Sequence, residues 1–261
     1  MNEQQRRNQD KTRKGVGFDL SIKPFPTQKN KIKLNELMKQ HTIPAFPRSV
    51  LMVGASGSGK TTLFMRLMTD KKFYKKYHDF VFLFSTTAKL DDSFKKLKLK
   101  KNHIFDTEEE MILKTEEIFK IQKQIVEDRG ILEAPKILMV YEDLTTNEKL
   151  MRNKIFKSLW TLGRHLNIQV IAMIHKYKAL PRTQRLNAMN IIYFRGSGDE
   201  TLQLVDDWTP PAHSKKEFLE IVNYATNPDK NSSHNFLYIC NACPFKTRYR
   251  KNFDIIMELK K

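Results

Sequence analysis

Short apolar runs alternate with longer segments of mixed polarity through the middle of this 261-residue chain. Five runs are almost wholly apolar, which is typical of strands buried on both faces of a parallel sheet; they cover residues 50–53, 78–85, 136–141, 168–174 and 190–194. The segments 61–68, 108–127, 147–164 and 198–208 have the composition of helices. The alternation predicts an α/β fold with a mostly parallel central sheet and helices on both faces.

Both ends of the chain break this alternation. Residues 1–33 contain nine Lys and Arg against three acidic residues, which indicates a basic arm within an N-terminal extension, 1–44. The segment 19–26 contains two prolines and can contribute only an edge strand. A core domain at 45–210 is expected to be followed by a small appendage at 211–261, with a helix at 214–225 and hairpin strands at 236–240 and 245–250.

The first apolar run leads directly into a glycine-rich stretch with the spacing G-x-x-x-x-G-K-S/T, which predicts a phosphate-binding loop. Glycines let successive backbone amides converge on phosphate oxygens, and the N-terminus of the following helix adds positive potential. We expect Lys60 to contact the outer phosphates of ATP and the Thr61 hydroxyl to hold Mg²⁺. The predicted nucleotide-binding residues are Gly54, Ala55, Ser56, Gly57, Ser58, Gly59, Lys60, Thr61 and Thr62.

Hydrolysis also requires carboxylates that position the metal ion and the attacking water. Glu142 and Asp143 follow the apolar run 137–141, at the predicted end of a buried strand. We assign Glu142 to Mg²⁺ and Asp143 to the water, and the reverse assignment stays open. In a purely structural interpretation, the same acids would cap the helix that starts near Asn147.

Two further side chains flank the run 168–174. Arg164 precedes it, and an arginine there can reach a neighbouring subunit's γ-phosphate or can simply stabilise the end of a helix. His175 follows the run and is a candidate sensor of the γ-phosphate, with a hydrogen-bonded core histidine as the alternative.

Positive charge suggests a second ligand. Lys and Arg number 47 against 29 Asp and Glu, a net charge of +18, which favours nucleic acid as a partner, although solvating lysines give the same composition. The leading candidates for DNA contacts are Arg182 and Arg185, on the loop after the candidate sensor strand. The basic clusters at 95–101 and 246–251 are weaker candidates, since such clusters are often solvated faces.

The cysteines and the terminal segments restrict the remaining possibilities. Cys240 and Cys243 are the only cysteines, so a disulfide framework is not expected, and their spacing provides only half of a zinc site. The N-terminus lacks the apolar core of a signal peptide, and no run of about 18 apolar residues predicts a membrane span. We therefore expect a soluble intracellular protein.

The order of these motifs resembles the FtsK/HerA superfamily, and most closely the poxvirus-type genome-packaging ATPases of large double-stranded DNA viruses and virophages. The resemblance covers about 46–195 and depends on the segments GRHLNIQVI, 163–171, and PRTQRLN, 181–187, at their separation. It implies an ATP-driven ring that threads double-stranded DNA into a capsid. The implied partners are a capsid or portal vertex protein, and the implied location is the host cytoplasm or a viral factory, with virion association left open.

The resemblance also assigns roles to individual residues. Lys60 and Thr61 match the nucleotide-binding positions, and Glu142 and Asp143 match the Walker B pair, in an unusual order. Arg164 matches an arginine supplied across a subunit interface, and His175 occupies a sensor position where glutamine is usual. Two other functions remain open: an ATP-dependent phosphotransferase, and a nucleotide-binding virion protein that does not hydrolyse.

Overall fold

The centre of the molecule is a single twisted sheet. The computed structural model describes residues 34–88, 91–144, 147–211, 213–230 and 232–258. Nine strands lie within these ranges, and their order in the sheet is β3-β2-β4-β5-β1-β6-β7-β8-β9. Their bounds are β1 Val50–Val53, β2 Phe80–Phe84, β3 Ile104–Phe105, β4 Ile137–Glu142, β5 Ile168–Ile174, β6 Asn190–Phe194, β7 Phe236–Cys240, β8 Tyr249–Lys251 and β9 Ile255–Ile256.

The pairing of the strands confirms the predicted mostly parallel sheet. All neighbours from β3 to β6 are parallel, whereas β7, β8 and β9 pair antiparallel. In β1, Leu51 and Val53 belong to a core that also includes residues of the long helices, while Val50 and Met52 on the opposite face are equally buried. Burial on both faces explains why the apolar runs show no alternation.

The parallel strands define two edges of the sheet. The carboxyl edge contains the C-terminal ends of β1, β2, β4, β5 and β6, and the amino edge contains their N-terminal ends. Val53 at the end of β1 is level with Ile174 of β5 and Tyr193 of β6. Residues that follow these strands therefore gather at the carboxyl edge, where ligands of such sheets bind.

Eight α-helices lie within the described ranges. They are α1 Glu36–Lys39, α2 Lys60–Thr69, α3 Glu108–Arg129, α4 Glu148–Arg152, α5 Lys154–Leu162, α6 Arg182–Asn187, α7 Gly198–Trp208 and α8 Lys215–Thr226. The single helix predicted at 147–164 is wrong, since α4, α5 and a 3₁₀ turn at Gly163–His165 share this segment. The break occurs at Asn153, whose side chain accepts hydrogen bonds from the amides of Ile155 and Phe156 and so starts a new helix.

The C-terminal hairpin continues the central sheet. Strand β7 pairs with β6, and the boundary predicted at residue 210 falls between α7 and α8, before the strands that extend the sheet. The second hairpin strand begins at Tyr249, later than predicted, because a 3₁₀ turn occupies Phe245–Thr247. The predicted basic arm at 1–33, with its edge strand at 19–26, lies outside the described residues. No helix in the described ranges combines the length and the apolar character that crossing a bilayer requires.

Candidate nucleotide site

The glycine-rich loop connects β1 to α2 at the carboxyl edge. Gly57 and Gly59 have φ values of 74° and 102°, in the left-handed region that favours glycine. A Cβ at Gly54 would lie 2.7 Å from the Cβ of Phe194, so this glycine allows close packing against β6. Helix α2 begins at Lys60, immediately after the turn, and its first amides adjoin the loop. This strand, loop and helix fulfil the geometric requirement for anion binding.

Lys60 lies inside the loop and is only 7% exposed. Its Nζ donates to the carbonyl oxygens of Gly54 at 2.6 Å and Ala55 at 3.0 Å, and it lies 3.3 Å from His175 Nδ1. The pKa of Lys60 is lowered, because burial outweighs the negative charges of Glu142 and Asp143, which raise it. The two acids therefore act electrostatically on the lysine of the loop.

The acid pair lies at the C-terminal end of β4, which β5 separates from β1. One carboxylate oxygen of Glu142 accepts hydrogen bonds from the hydroxyls of Ser85 at 2.5 Å and Thr87 at 2.9 Å. Asp143 has a φ of 51°, and its amide donates to the carbonyl oxygen of Met173 at 3.1 Å. Neither acid caps α4, because the side chain of Asn147 accepts the cap hydrogen bond from the amide of Leu150.

His175 joins the two halves of the site. Its Nδ1 lies 3.3 Å from Lys60 Nζ, and its Nε2 lies 3.5 Å from Asp143 Oδ1. With the Lys60 ammonium as donor, His175 Nδ1 is the acceptor, and Nε2 on the other side of the ring lies next to the carboxylate. The His175 side chain is 32% exposed, so the alternative of a buried core histidine does not fit.

Arg164 lies at the amino edge, in the 3₁₀ turn before β5. Its side chain is exposed, and Nε donates to His165 Nε2 at 3.1 Å. The seven residues of β5 separate it from the carboxyl edge, a distance of roughly 20 Å at about 3.3 Å per residue. Arg164 is therefore too far away to reach a phosphate at the loop of its own chain.

The arginines predicted to contact DNA lie on helix α6, where we predicted a loop. Arg185 is 6% exposed; its Nε and Nη2 donate to Asp207 Oδ2 at 3.1 and 2.9 Å, and its Nη1 donates to the carbonyl oxygen of Leu180. A guanidinium bound in this way has little surface left for a phosphate, so Arg185 is structural in this arrangement. Arg182 also contacts Asp207, but its side chain is 69% exposed, and it remains a predicted DNA contact.

Several polar residues at the carboxyl edge were not among the predicted site residues. Ser85 ends the second predicted strand and Thr87 follows it; both hold Glu142, and their position at a strand end could have identified them. His234 comes from the C-terminal part of the chain, and its Cβ lies 3.3 Å from where a Cβ on Gly59 would be. No local signal indicated this contact, because it depends on the antiparallel pairing of β7 with β6.

The two cysteines lie far from this site. Cys240 is level with Asn190 at the amino edge, and both thiols are buried. Within the described ranges, no group of three or more His, Cys, Asp or Glu could complete a metal site. A hydrogen bond from Cys243 lowers the pKa of the Cys240 thiol.

A phosphate loop, an acid pair two strands away and a polar residue directly after the strand between them define a P-loop NTPase. The chain belongs to the poxvirus A32 protein family, whose model matches residues 36–254. The resemblance predicted from the sequence is therefore confirmed. No curated protein matches the chain.

Solved structures share this fold at low sequence identity. The genome-packaging NTPase B204 from Sulfolobus turreted icosahedral virus 2, in complex with AMP, is 14% identical with a TM-score of 0.52, over 78% of this chain and 96% of that one. B204 from Sulfolobus turreted icosahedral virus, titled a DNA-packaging ATPase, is 14% identical with a TM-score of 0.51, over 75% and 93%. The cytoplasmic domain of the type VII secretion ATPase EccC from Thermomonospora curvata is 15% identical with a TM-score of 0.51, over 80% of this chain and 27% of that one.

Proposed function

We propose that this protein is an ATPase that uses ATP hydrolysis to move viral double-stranded DNA into the capsid. The observation that carries the proposal is that His175 lies within 3.5 Å of both Lys60 and Asp143, and so connects the phosphate loop to the acid pair. Membership of the A32 family and the shared fold of structures titled genome-packaging NTPase and DNA-packaging ATPase support it.

Each part of the site has a role in this proposal. The loop from Gly54 to Thr62 binds the phosphates, and Lys60 exchanges its carbonyl partners for oxygens of the outer phosphates. Asp143 orients the attacking water and accepts its proton. His175 lies between Lys60 and Asp143, with its Nε2 3.5 Å from the Asp143 carboxylate, and so links the state of the loop to the position of that carboxylate.

The side chains near the loop also fit Mg²⁺. Thr61 and Glu142 offer the oxygen ligands that this ion prefers. The Ser85 and Thr87 hydroxyls hold one carboxylate oxygen of Glu142 and leave the other for the ion. When bound, the ion neutralises charge on the phosphates.

The position of Arg164 at the amino edge supports a ring of identical subunits. An exposed arginine that cannot reach its own loop is available to the loop of a neighbour. In this proposal the 45–210 core forms the ring, Arg182 contacts the DNA backbone, and a capsid or portal vertex protein anchors the assembly. We expect the ring to act in the host cytoplasm or a viral factory.

Replacement of Arg164 with Ala tests the role across the interface. We expect Arg164→Ala subunits to bind ATP with wild-type affinity but to lose at least about 100-fold in turnover, because arginine fingers contribute roughly 10³–10⁵ to the rate. Mixing them with inactive Lys60→Ala subunits should restore phosphate release. The Arg164→Ala subunit supplies an intact phosphate loop, and the Lys60→Ala subunit supplies the arginine. Arg129→Ala, on the exposed end of α3, is the matched control. Absence of any recovery in mixed assemblies would argue against an arginine that acts on a neighbour.

The function itself is tested by phosphate release from the assembled protein with and without double-stranded DNA, across a range of salt concentrations. We expect DNA to stimulate turnover, and the stimulation to weaken as salt screens the backbone contacts. Equal rates with and without DNA at every salt concentration would contradict the motor. A phosphorylated acceptor with little free phosphate would instead indicate a phosphotransferase, and ATP binding without turnover would indicate a structural protein.

A further inference from the structure

Two lysine-rich segments, 71–76 and 95–101, meet around one groove at the amino edge. The groove has a volume of about 540 Å³ and lies between the end of α2, the start of β2, and the end of the 3₁₀ helix Asp92–Leu97 with the two residues that follow it. Four lysines line it, two from each segment: Lys75, Lys76, Lys96 and Lys98. We call this surface the lysine groove.

Buried aromatic residues hold both segments beside α2. Tyr74 is fully buried, its amide donates to the carbonyl oxygen of Leu67 at 2.8 Å, and its hydroxyl donates to the carbonyl oxygen of Pro44. Phe94 is 4% exposed, and its ring centroid lies 6.4 Å from that of Phe64 on α2. The rims of the groove are therefore anchored by the core, and the lysines between the anchors point outward.

The positive charge of this surface is largely uncompensated. The segments 71–76 and 95–101 contain four and five lysines, all exposed. Within the described ranges, Lys95 alone of these nine has an ion pair, with Asp92. On α3 and α4, by contrast, Lys114, Lys120, Lys123 and Lys149 each lie within 4.0 Å of a glutamate. Exposed like charges repel one another, so an external polyanion would stabilise this surface.

We propose that the lysine groove binds the sugar–phosphate backbone of double-stranded DNA, an inference that rests on the proposed function. Ammonium groups contact phosphates as point charges and carry no base information, which suits a motor that must grip any sequence. Lysines on both rims hold successive phosphates of one strand. Val81, Leu97 and Leu99 between them offer apolar contacts to the deoxyribose rings.

The groove and the phosphate loop lie at opposite ends of the same helix. Lys60 is the first residue of α2, whereas Met68 and Thr69 at its C-terminal end line the groove. The helix has ten residues and is about 15 Å long, because an α-helix rises about 1.5 Å per residue. DNA contact is thus separate from ATP chemistry, and basal turnover should survive changes to the groove.

The test measures the binding of a short DNA duplex of mixed sequence to the full chain. Binding is measured by fluorescence anisotropy at a series of salt concentrations. The groove variant carries Lys75→Gln, Lys76→Gln, Lys96→Gln and Lys98→Gln. The control variant carries Lys114→Gln, Lys120→Gln, Lys123→Gln and Lys149→Gln, with the same change in net charge. A third variant, with Arg at the four groove positions, keeps the charge, and ATP turnover without DNA checks the fold of each protein.

We expect the groove variant to show a shallower dependence of log affinity on log salt. The slope should fall by about 0.9 for each phosphate that a lysine no longer neutralises, and so by up to roughly 3.6. The control and Arg variants should keep the wild-type slope. Equal slopes for the groove and control variants, while the wild type binds DNA and hydrolyses ATP, would overturn this inference alone. A wild type that neither binds DNA nor hydrolyses ATP would overturn the proposed function as well. The groove variant is also tested for binding to phosphatidylserine vesicles. If it lost vesicle binding but bound DNA as the wild type does, the surface would be assigned to a membrane and the inference would be overturned.

Discussion

Replacing Lys60 with Ala is expected to lower kcat/KM for ATP by at least about 100-fold, since loss of one fixed charge-stabilising group in an active site costs roughly 10²–10³ in rate. Lys60 Nζ already lies between the loop carbonyls and His175, so its ammonium needs only a small movement to meet a phosphate. Alanine leaves the loop backbone intact but removes this charge. Phosphate release and equilibrium binding of a fluorescent ATP analogue provide the two measurements.

Arg66→Ala is the matched control for this change. Arg66 is exposed on the same helix, so its loss also removes one positive charge from α2 without touching the loop. We expect it to turn over ATP at the wild-type rate. If Lys60→Ala bound and hydrolysed ATP as the control does, the loop would not be the nucleotide site.

Asp143→Asn is expected to retain ATP and lose turnover. The amide has the size of the carboxylate but accepts a proton poorly, and general-base catalysis contributes roughly 10²–10⁴ in rate. The nucleotide affinity should change by only a few-fold, because the Asp143 carboxylate lies next to His175, which stands between it and Lys60 of the loop. Single-turnover measurements with preformed ATP complexes separate the chemical step from binding.

Two companions make this result specific. Asp128→Asn repeats the chemical change on the exposed face of α3, where the side chain contacts Gln124, and should be silent. Glu142→Gln should weaken the dependence of ATP binding on Mg²⁺, since this carboxylate is the proposed ligand. A variant set in which Asp143→Asn loses the metal dependence and Glu142→Gln loses the chemical step would reverse the two assignments.

The lysine groove makes the basic cluster 95–101 a stronger candidate for DNA binding than its sequence alone indicates. The run at 95–101 is by itself an ordinary basic cluster, and such clusters are often solvated faces. Packing of Phe94 and Tyr74 beside α2 brings a second lysine segment to the same surface. The density of unpaired charge therefore depends on two segments that no local pattern connects.

Arg182 and Arg185 show the opposite case. Three residues apart on a predicted loop, they are equally suited to DNA by sequence, yet they form the first and fourth positions of α6. The side chain of Asp207, on α7, is only 1% exposed and accepts from both guanidinium groups. A buried carboxylate needs such partners, because an uncompensated charge in the interior is costly. Arg185 is buried because it is the partner of the Asp207 carboxylate, and the sequence around Arg185 does not indicate this pairing.

Features that depend on neighbouring residues could be predicted from the order of amino acids alone. Apolar runs without alternation specified strands buried on both faces, and the contiguous loop after β1 specified the phosphate site, since its glycines and Lys60 act through local backbone geometry. Contacts between distant residues, in contrast, depend on the complete fold. Lys60 and His175 are 115 positions apart and come together because β5 lies between β1 and β4. The order of strands in a sheet follows from the packing of the whole core, so the contacts across it cannot be derived from any one segment.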